Sequence, residues 1–150
     1  MKNKPIRQIT QSLRSEIDNV LPKIANDQIT ILYIDDERPN LRAFKDIFRK
    51  SYFKVHTAQT LEEGFKILAT EKVHIIITDY EMPIHKGDHV LKMVLTMYPN
   101  IIPVVLSAYL TREVKEKLKR HFKGITLIEK PFIGSELEAI LKGFCYNLIY

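Results

Sequence analysis

Short apolar runs alternate with helical patterns along most of the chain, from about Thr30 onward. Short, mostly apolar runs indicate buried strands, and segments with apolar residues at every third or fourth position indicate helices. The predicted strands are Ile29–Ile34, Tyr52–Thr57, Val73–Thr78, Ile101–Leu106 and Ile125–Ile128. Tyr52–Thr57 is the weaker of these strands. Because the others are mostly apolar, the pattern predicts an α/β fold, (βα)5 doubly wound, with helices on both faces of a parallel sheet.

Several residues mark where the helices begin. Pro39 stands near the start of the helix after the first strand, and Thr60 with Glu63 forms a capping box for the next helix. Further helices are predicted after Gly87, over the basic segment Tyr109–Phe122, and from a second capping box formed by Ser135 and Glu138.

Residues 1–27 stand outside this pattern. Their apolar positions recur every three or four residues and predict an amphipathic helix: Ile6, Ile9, Leu13, Ile17, Val20 and Ile24. Pro22 is expected to end or bend it. Packing on its own domain and docking to a second copy or a partner both remain open. We therefore predict an N-terminal helical extension over residues 1–27 and one domain over residues 28–150.

Composition excludes several protein classes. The chain has 150 residues, of which 45% are hydrophobic and 27% charged, as is ordinary for a soluble globular protein. The single cysteine, Cys145, excludes a disulfide framework and a Cys-rich zinc site, and we expect it to pack in the core. No apolar run approaches the ~20 residues of a membrane helix, and the first residues do not form a signal peptide. A cytoplasmic protein without membrane contact is expected.

The net charge is +5, and one segment, Arg112–Lys123, carries six Lys/Arg against two Glu. We interpret this segment as a solvated helix face, because no nucleic-acid-binding motif accompanies it. His85 and His89 lie four residues apart, but no further metal ligand is evident near them. They are therefore expected to be surface or loop histidines.

Polar residues follow four of the predicted strands at their carboxyl ends, where doubly wound folds bind ligands. They are Asp35, Asp36 and Glu37 after the first strand, Asp79 after the third, Ser107 and Ala108 after the fourth, and Glu129 and Lys130 after the fifth. If the first strand lies between the second and third, the aspartates converge, and three close carboxylates require a cation such as Mg²⁺. A carboxylate can also form an aspartyl phosphate. Lys130 would then supply positive charge and Ser107 a hydroxyl, while the small Ala108 leaves an approach path.

The motifs ILYIDDE, IIITDYEMP with Gly87, VVLSA and LIEKPF cover about residues 28–150. Together they resemble the receiver domain of bacterial two-component response regulators, the family of CheY. The resemblance implies a parallel five-stranded sheet of order 2-1-3-4-5 and a Lys130–Pro131 bond that is often cis. It also implies a phosphorylation-controlled signalling switch rather than an enzyme.

The resemblance implies a role for each matching residue. Asp79 would be the phosphoacceptor, Lys130 the phosphate-binding lysine and Ser107 the switch hydroxyl. Mg²⁺ would be bound by Asp36, Asp79 and the backbone carbonyl of Glu81, and by Asp35 through water. Glu81 and Tyr109 occupy side-chain positions that commonly tune the phosphoryl lifetime.

Two positions depart from the family pattern. Leu127 stands where the family usually has Tyr or Phe, which puts the usual coupling between the switch hydroxyl and an aromatic ring in question. The loop after Pro83 reads Ile84-His85-Lys86-Gly87 where the family often has x-Met-Asp-Gly, so it is more basic.

The implied partners are a histidine kinase or phosphotransfer protein and an unidentified downstream protein, with a homodimer as a further option. Because the chain stops at Tyr150, no DNA-binding domain is expected and the output would be a protein contact. The alternative is a phosphate-independent adaptor on a receiver fold. A haloacid-dehalogenase-type phosphatase would need Asp-x-Asp after the first strand, and a flavodoxin-like flavin binder a Ser/Thr/Gly phosphate loop there.

Overall fold

The computed structural model of the chain describes residues 28–51 and 53–149, without the side chains of residues 145–149. Strands and helices alternate along it: β1 Thr30–Ile34, α1 Arg38–Ile47, β2 Lys54–Ala58, α2 Leu61–Thr70, β3 Ile75–Thr78, α3 Gly87–Met97, β4 Ile102–Ser107, α4 Arg112–His121, β5 Thr126–Glu129 and α5 Gly134–Ile149. The predicted helix in residues 1–27, the predicted strand residue Tyr52 and the side chain of Cys145 lie outside the described part.

The strands form one parallel sheet of order β2-β1-β3-β4-β5. This confirms the predicted (βα)5 fold and its 2-1-3-4-5 order. The strand order reverses at β1: β2 pairs with it on one side and β3 on the other, both in parallel. The carboxyl ends of β1 and β3 are therefore neighbours at one edge of the sheet.

Helices cover both faces of the sheet, which explains why its central strands are apolar throughout. On one face, Leu32 and Ile34 of β1 join a buried cluster with Leu61 of α2, Val90 of α3 and Leu118 of α4. On the other face, the Tyr33 ring packs on Phe44 of α1 with the ring centroids 4.5 Å apart. Alternate residues of β1 thus serve opposite cores.

The sheet and the helices α1 to α4 lie in one compact unit, Ile29–Phe132. Helix α5 belongs to a second unit, and its Leu137 and Leu141 are buried. The predicted boundary between residues 1–27 and 28–150 stays a prediction.

The first predicted capping box is confirmed. The Thr60 hydroxyl accepts a hydrogen bond from the backbone N–H of Glu63 at 3.2 Å, and the Glu63 carboxylate accepts one from the N–H of Gln59 at 2.8 Å. These two bonds satisfy N–H groups that the first turn of α2 leaves without an intrahelical partner.

Two other helix starts differ from the prediction over Tyr109–Phe122 and from Ser135. Helix α4 begins after Thr111, because the Thr111 hydroxyl accepts from the N–H of Val114 at 3.1 Å and caps the first turn. Helix α5 begins at Gly134, so Ser135 lies inside the first turn rather than at its N-cap.

Gly87, at the start of α3, lies against the backbone of the segment that follows β3. A Cβ at this position would be 2.7 Å from the carbonyl oxygen of Asp79 and 2.9 Å from the Cα of Tyr80. Neither backbone atom can rotate away, so we expect Gly87→Ala to lower the free energy of unfolding by about 1–3 kcal/mol. Urea unfolding followed by circular dichroism measures this change.

Gly143 in α5 provides the matched control, because a Cβ there meets nothing within 4 Å among the described residues. Gly143→Ala should raise the free energy of unfolding by about 0.5–1 kcal/mol, the ordinary gain of alanine over glycine in a helix. Equal stabilities of the two alanine variants would contradict the assigned role of Gly87.

Candidate functional site

Three aspartates meet at the carboxyl edge of the sheet. Asp35 and Asp36 follow β1 directly, and Asp79 follows β3, the neighbouring strand. One carboxylate oxygen from each lies within 4.8 Å of the other two. Asp35 is fully buried, while Asp36 and Asp79 are half-buried. Within the described part of the chain, this is the group of side chains that has the geometry to hold a metal ion.

Lys130 brings positive charge to this cluster from the end of β5. Its Nζ lies 3.3 Å from Oδ2 of Asp35 and 4.0 Å from Oδ2 of Asp79. Its backbone N–H donates to the carbonyl oxygen of Ser107 at 2.8 Å, which joins the ends of β4 and β5. The Lys130–Pro131 peptide bond is cis, as the resemblance implies.

Asp79 combines burial with an oxygen that has no partner. Its Oδ1 is buried and has no hydrogen-bond partner among the described residues. Burial raises the pKa of the Asp79 carboxyl, the positive charge of Lys130 opposes this shift, and the charge of Asp35 adds to it. The net result is a pKa above the ordinary value for aspartate. Oδ1 is therefore the oxygen of this pocket that is free to form a new bond.

Asp35 is held by several hydrogen-bond donors besides Lys130. Its Oδ2 accepts from the Tyr33 hydroxyl at 2.6 Å and from Nδ2 of Asn40 at 3.1 Å. Its Oδ1 accepts from the backbone N–H of Glu37 at 3.0 Å. Burial, followed by the hydrogen bond to Asp35 and its charge, raises the pKa of Tyr33 far above the ordinary range.

Sequence analysis did not identify Tyr33 and Asn40 as part of the site. A signal for Tyr33 was present, because residues two apart in a strand point to the same face and Tyr33 precedes Asp35 by two. Asn40 lies in the first turn of α1 and reaches Asp35 only because that helix folds back over the strand end.

The remaining predicted site residues differ in burial. Ser107 is buried at the end of β4, whereas Ala108 and Tyr109 beyond it are exposed. Leu127 is half-buried in β5 and packs against the core. Glu81 is exposed. The structure shows where these residues lie, and their switch, tuning and metal-ligating roles stay predictions.

The loop between β3 and α3, which departs from the family pattern in sequence, exposes apolar and basic side chains. Ile84 is 83% exposed, and the rings of His85 and His89 stack with their centroids 4.8 Å apart. Nζ of Lys86 lies 4.0 Å from a carboxylate oxygen of Glu81. Among the described residues, the histidine pair has no third ligand that would complete a metal site.

The sequence matches the family model of the response regulator receiver domain over residues 31–142. The chain belongs to this family. Receiver domains are signalling domains of two-component systems rather than classical enzymes, and they bind Mg²⁺ at an acidic pocket. Membership removes the phosphatase and flavin-binding alternatives, and it does not favour the adaptor.

Solved structures share the fold of this receiver domain. The signal receiver domain of an HD domain-containing protein from Pseudomonas fluorescens Pf-5 is 19% identical, with a TM-score of 0.72 over 83% of this chain and 100% of that chain. A CheY-like receiver domain protein from Methanospirillum hungatei JF-1 is 21% identical, with a TM-score of 0.71 over 78% of this chain and 93% of that one.

Curated relatives are much longer than the matched region. The hydrogenase transcriptional regulatory protein HoxA of Cupriavidus necator is 30% identical over 60% of this chain and 18% of its own length. The protein of the same name from Bradyrhizobium diazoefficiens is 33% identical over 55% of this chain and 17% of its own length. This chain therefore spans less than a fifth of the curated relatives it matches.

These relatives correct the predicted partners. The prediction excluded a DNA-binding domain and assigned the output to a protein contact or a homodimer, because the chain stops at Tyr150. That prediction is wrong, because the relatives are transcriptional regulators in which the matched region is one small part. The position of the last residue carries no information about which domains accompany a receiver.

None of the described helices combines the length and the apolar character that a membrane crossing requires. The cytoplasmic location stays a prediction.

The raised pKa of Asp79 predicts a stability effect. The folded domain binds the Asp79 proton more tightly than the unfolded chain does, so stability falls as pH rises from the unfolded pKa, about 3.9, through the raised folded pKa. At pH 7 the ionised carboxylate therefore destabilises the metal-free domain. We expect Asp79→Asn to raise the thermal midpoint at pH 7 without Mg²⁺, where 1 kcal/mol corresponds to about 2–4 °C.

The control is Asp46→Asn, because Asp46 is an exposed aspartate paired with Arg49 at 2.7 Å and should change the midpoint little. Scanning calorimetry at pH 7 and at pH 4 measures both variants, and the gain from Asp79→Asn should shrink at the lower pH. A lower midpoint for Asp79→Asn at pH 7 would show that burial of Asp79 does not destabilise the domain.

Proposed function

We propose that this receiver domain is a phosphorylation-controlled switch in which Asp79 accepts a phosphoryl group from a histidine kinase. The observation that carries the proposal is Oδ1 of Asp79, which is buried and without a partner among the described residues. Oδ2 of the same carboxylate faces Lys130 at 4.0 Å. One oxygen is thus free for a new bond, and a fixed positive charge lies beside it.

The aspartate cluster suits Mg²⁺. Carboxylate oxygens are the ligands this ion takes, and three of them within 4.8 Å repel one another without a cation. Asp36 and Asp79 would bind the ion directly, the Glu81 carbonyl would complete the protein ligands, and Asp35 would act through water. Bound there, Mg²⁺ neutralises negative charge on the carboxylates and on an incoming phosphoryl group.

The proposed reaction is an in-line displacement at phosphorus. A carboxylate oxygen of Asp79 forms a bond to the phosphorus of a phosphohistidine, the P–N bond breaks, and the imidazole keeps the electron pair. Lys130 holds phosphoryl oxygens by charge, and Ser107 donates its hydroxyl to one of them. In dephosphorylation, water attacks the same phosphorus, the P–O bond to Asp79 breaks with its electron pair staying on the carboxylate, and inorganic phosphate leaves, so the domain takes part in its own dephosphorylation.

The phosphoryl group adds negative charge beside Lys130. The ammonium of this residue contacts Asp35 after β1 and Asp79 after β3. Such a local charge change can bias a two-state element elsewhere in the fold. Ser107 ends β4 and is followed by the exposed Ala108 and Tyr109. A shift of Ser107 toward the phosphoryl group would therefore move this exposed segment, and it does not require an aromatic ring at Leu127.

Intact mass spectrometry after incubation with acetyl phosphate and Mg²⁺ tests the proposal. We expect one labile phosphoryl adduct on the wild type, its loss with EDTA, and its absence in Asp79→Asn. Asp46→Asn is the matched control, because it makes the same substitution at an exposed aspartate and should keep the adduct. An adduct on Asp79→Asn, or none on the wild type with any small phosphodonor, would rule out Asp79 as the acceptor.

The side chains of Glu81 and Tyr109 are expected to tune the lifetime of the phosphoryl group. Each is exposed, and each follows a site residue, Asp79 or Ser107, by two positions. Truncation opens the path of water to phosphorus, so Glu81→Ala and Tyr109→Ala should dephosphorylate severalfold faster than the wild type. The decay of the adduct mass after removal of donor measures this rate. Unchanged decay in both variants would refute the tuning role, and Glu116→Ala on α4 serves as the control.

A further inference from the structure

Three donors converge on a single oxygen of Asp35. Oδ2 accepts from the Tyr33 hydroxyl at 2.6 Å, from the Asn40 amide at 3.1 Å and from Lys130 at 3.3 Å. The shortest of these bonds comes from a residue outside the aspartate, serine and lysine set of the site. Tyr33 therefore forms the closest contact to a carboxylate of the proposed metal site without being one of its ligands.

Lys130 serves two carboxylates that compete for it. Its Nζ is closer to Asp35, at 3.3 Å, than to Asp79, at 4.0 Å. On the proposed function, the same ammonium must hold a phosphoryl group on Asp79. Contact with that group weakens the bond between Lys130 and Asp35, so Asp35 loses a donor at the moment of phosphorylation.

Bulk solvent does not reach Asp35 to replace that donor. Its side chain is fully buried, and a buried carboxylate that loses its partners is strongly destabilising. Two donors to Oδ2 would remain when Lys130 moves, the hydroxyl of Tyr33 and the amide of Asn40.

Packing holds the Tyr33 hydroxyl on Asp35. The ring is buried and lies against Phe44 at a centroid distance of 4.5 Å, and Phe44 in turn packs on Phe48 at 4.8 Å. Phe48 contacts Phe53 at 5.6 Å, so the row of rings extends from the pocket to the opposite end of the sheet. A hydroxyl on so confined a ring has little freedom to leave its acceptor.

We propose that Tyr33 is a positioning residue that keeps Asp35 hydrogen-bonded while Lys130 transfers to the phosphoryl group on Asp79. The inference rests on the proposed phosphoacceptor role of Asp79. Without the hydroxyl, Asp35 would depend more strongly on Lys130 and would retain it, at the expense of the phosphorylated state.

A double-mutant cycle without metal or phosphodonor tests the hydrogen-bond exchange. Tyr33→Phe removes only the hydroxyl, and Lys130→Met removes the ammonium while retaining an unbranched side chain. We expect Lys130→Met to increase the unfolding equilibrium constant roughly fivefold more in the Tyr33→Phe background than in the wild type, the net value of one hydrogen bond. Additive effects of the two substitutions would overturn the proposal.

Tyr98→Phe is the matched control, because Tyr98 is the C-cap residue of α3, at the opposite end of that helix from Gly87. Its combination with Lys130→Met should be additive. If the Tyr33→Phe, Lys130→Met protein does not fold, the cycle with Asn40→Ala decides, since the Asn40 amide donates to the same oxygen. Additivity there would equally overturn the proposal.

The functional consequence is measured by beryllofluoride, a phosphoryl mimic, observed by fluorine NMR at saturating Mg²⁺. Tyr33→Phe should weaken beryllofluoride binding by roughly fivefold to tenfold, while Mg²⁺ affinity from calorimetry changes less than about twofold. An equal loss of beryllofluoride and Mg²⁺ affinity would show that Tyr33 only maintains the structure of the pocket, and it would overturn the proposal. If the wild type does not bind beryllofluoride but the double-mutant cycle shows coupling, the phosphoacceptor role of Asp79 would be overturned. The hydrogen-bond coupling between Tyr33, Asp35 and Lys130 would still be supported.

Discussion

The architecture of the pocket depends on the neutralisation of one buried carboxylate. Asp35 is fully buried, so in the metal-free domain its charge is met by donors from the protein. Those donors come from β1, from the turn after it, from the first turn of α1 and from the end of β5. Satisfying one side chain therefore requires the central strand, a covering helix and the far edge strand to be in place together.

Asp79 follows the opposite logic in the same pocket. Where Asp35 is saturated with donors, Asp79 has a buried oxygen without a partner among the described residues and a raised pKa. Loss of a donor would be costly for the first carboxylate, whereas the second is expected to destabilise the metal-free domain at pH 7 in its ionised form. Two identical side chains thus differ in the pocket, one with all its donors in place and one with a free oxygen. The difference arises from burial and from the placement of hydrogen-bond donors.

The fold could be predicted much further than the pocket's interior. Strands covered on both faces are almost purely apolar, so β1 and β3 were evident, although the apolar run began at Val73 and the strand begins at Ile75. Val73 is buried but does not belong to the strand. Hydrophobicity indicates that a residue is buried, and it does not indicate whether the residue pairs in the sheet. Periodicity does not specify strand order either, and the 2-1-3-4-5 order follows only from the resemblance to the receiver family that the strand-end motifs carry.

The pocket's charged residues could be predicted because each closes a strand, and strand ends share one edge of a parallel sheet. Tyr33 is missed, because a tyrosine inside an apolar strand counts as one more apolar residue, although its spacing of two from Asp35 places both on one face of the strand. Its hydroxyl matters only once Asp35 is known to be fully buried, which is a property of the folded chain. The start of α4 was missed for a related reason, since the cap at Thr111 is a local hydrogen bond that outweighs the helical pattern on either side of it.

Leu127 stands where the receiver family usually has an aromatic residue. A leucine in β5 has no hydroxyl and no flat ring, and it packs half-buried against the core. Yet β5 remains tied to β4 at the site, because the Lys130 N–H donates to the Ser107 carbonyl at 2.8 Å. The backbone of Lys130 is thus held to the end of β4 whichever carboxylate its ammonium contacts. In this chain a main-chain hydrogen bond joins the residue after β5 to the last residue of β4, and it does not involve the side chain at position 127.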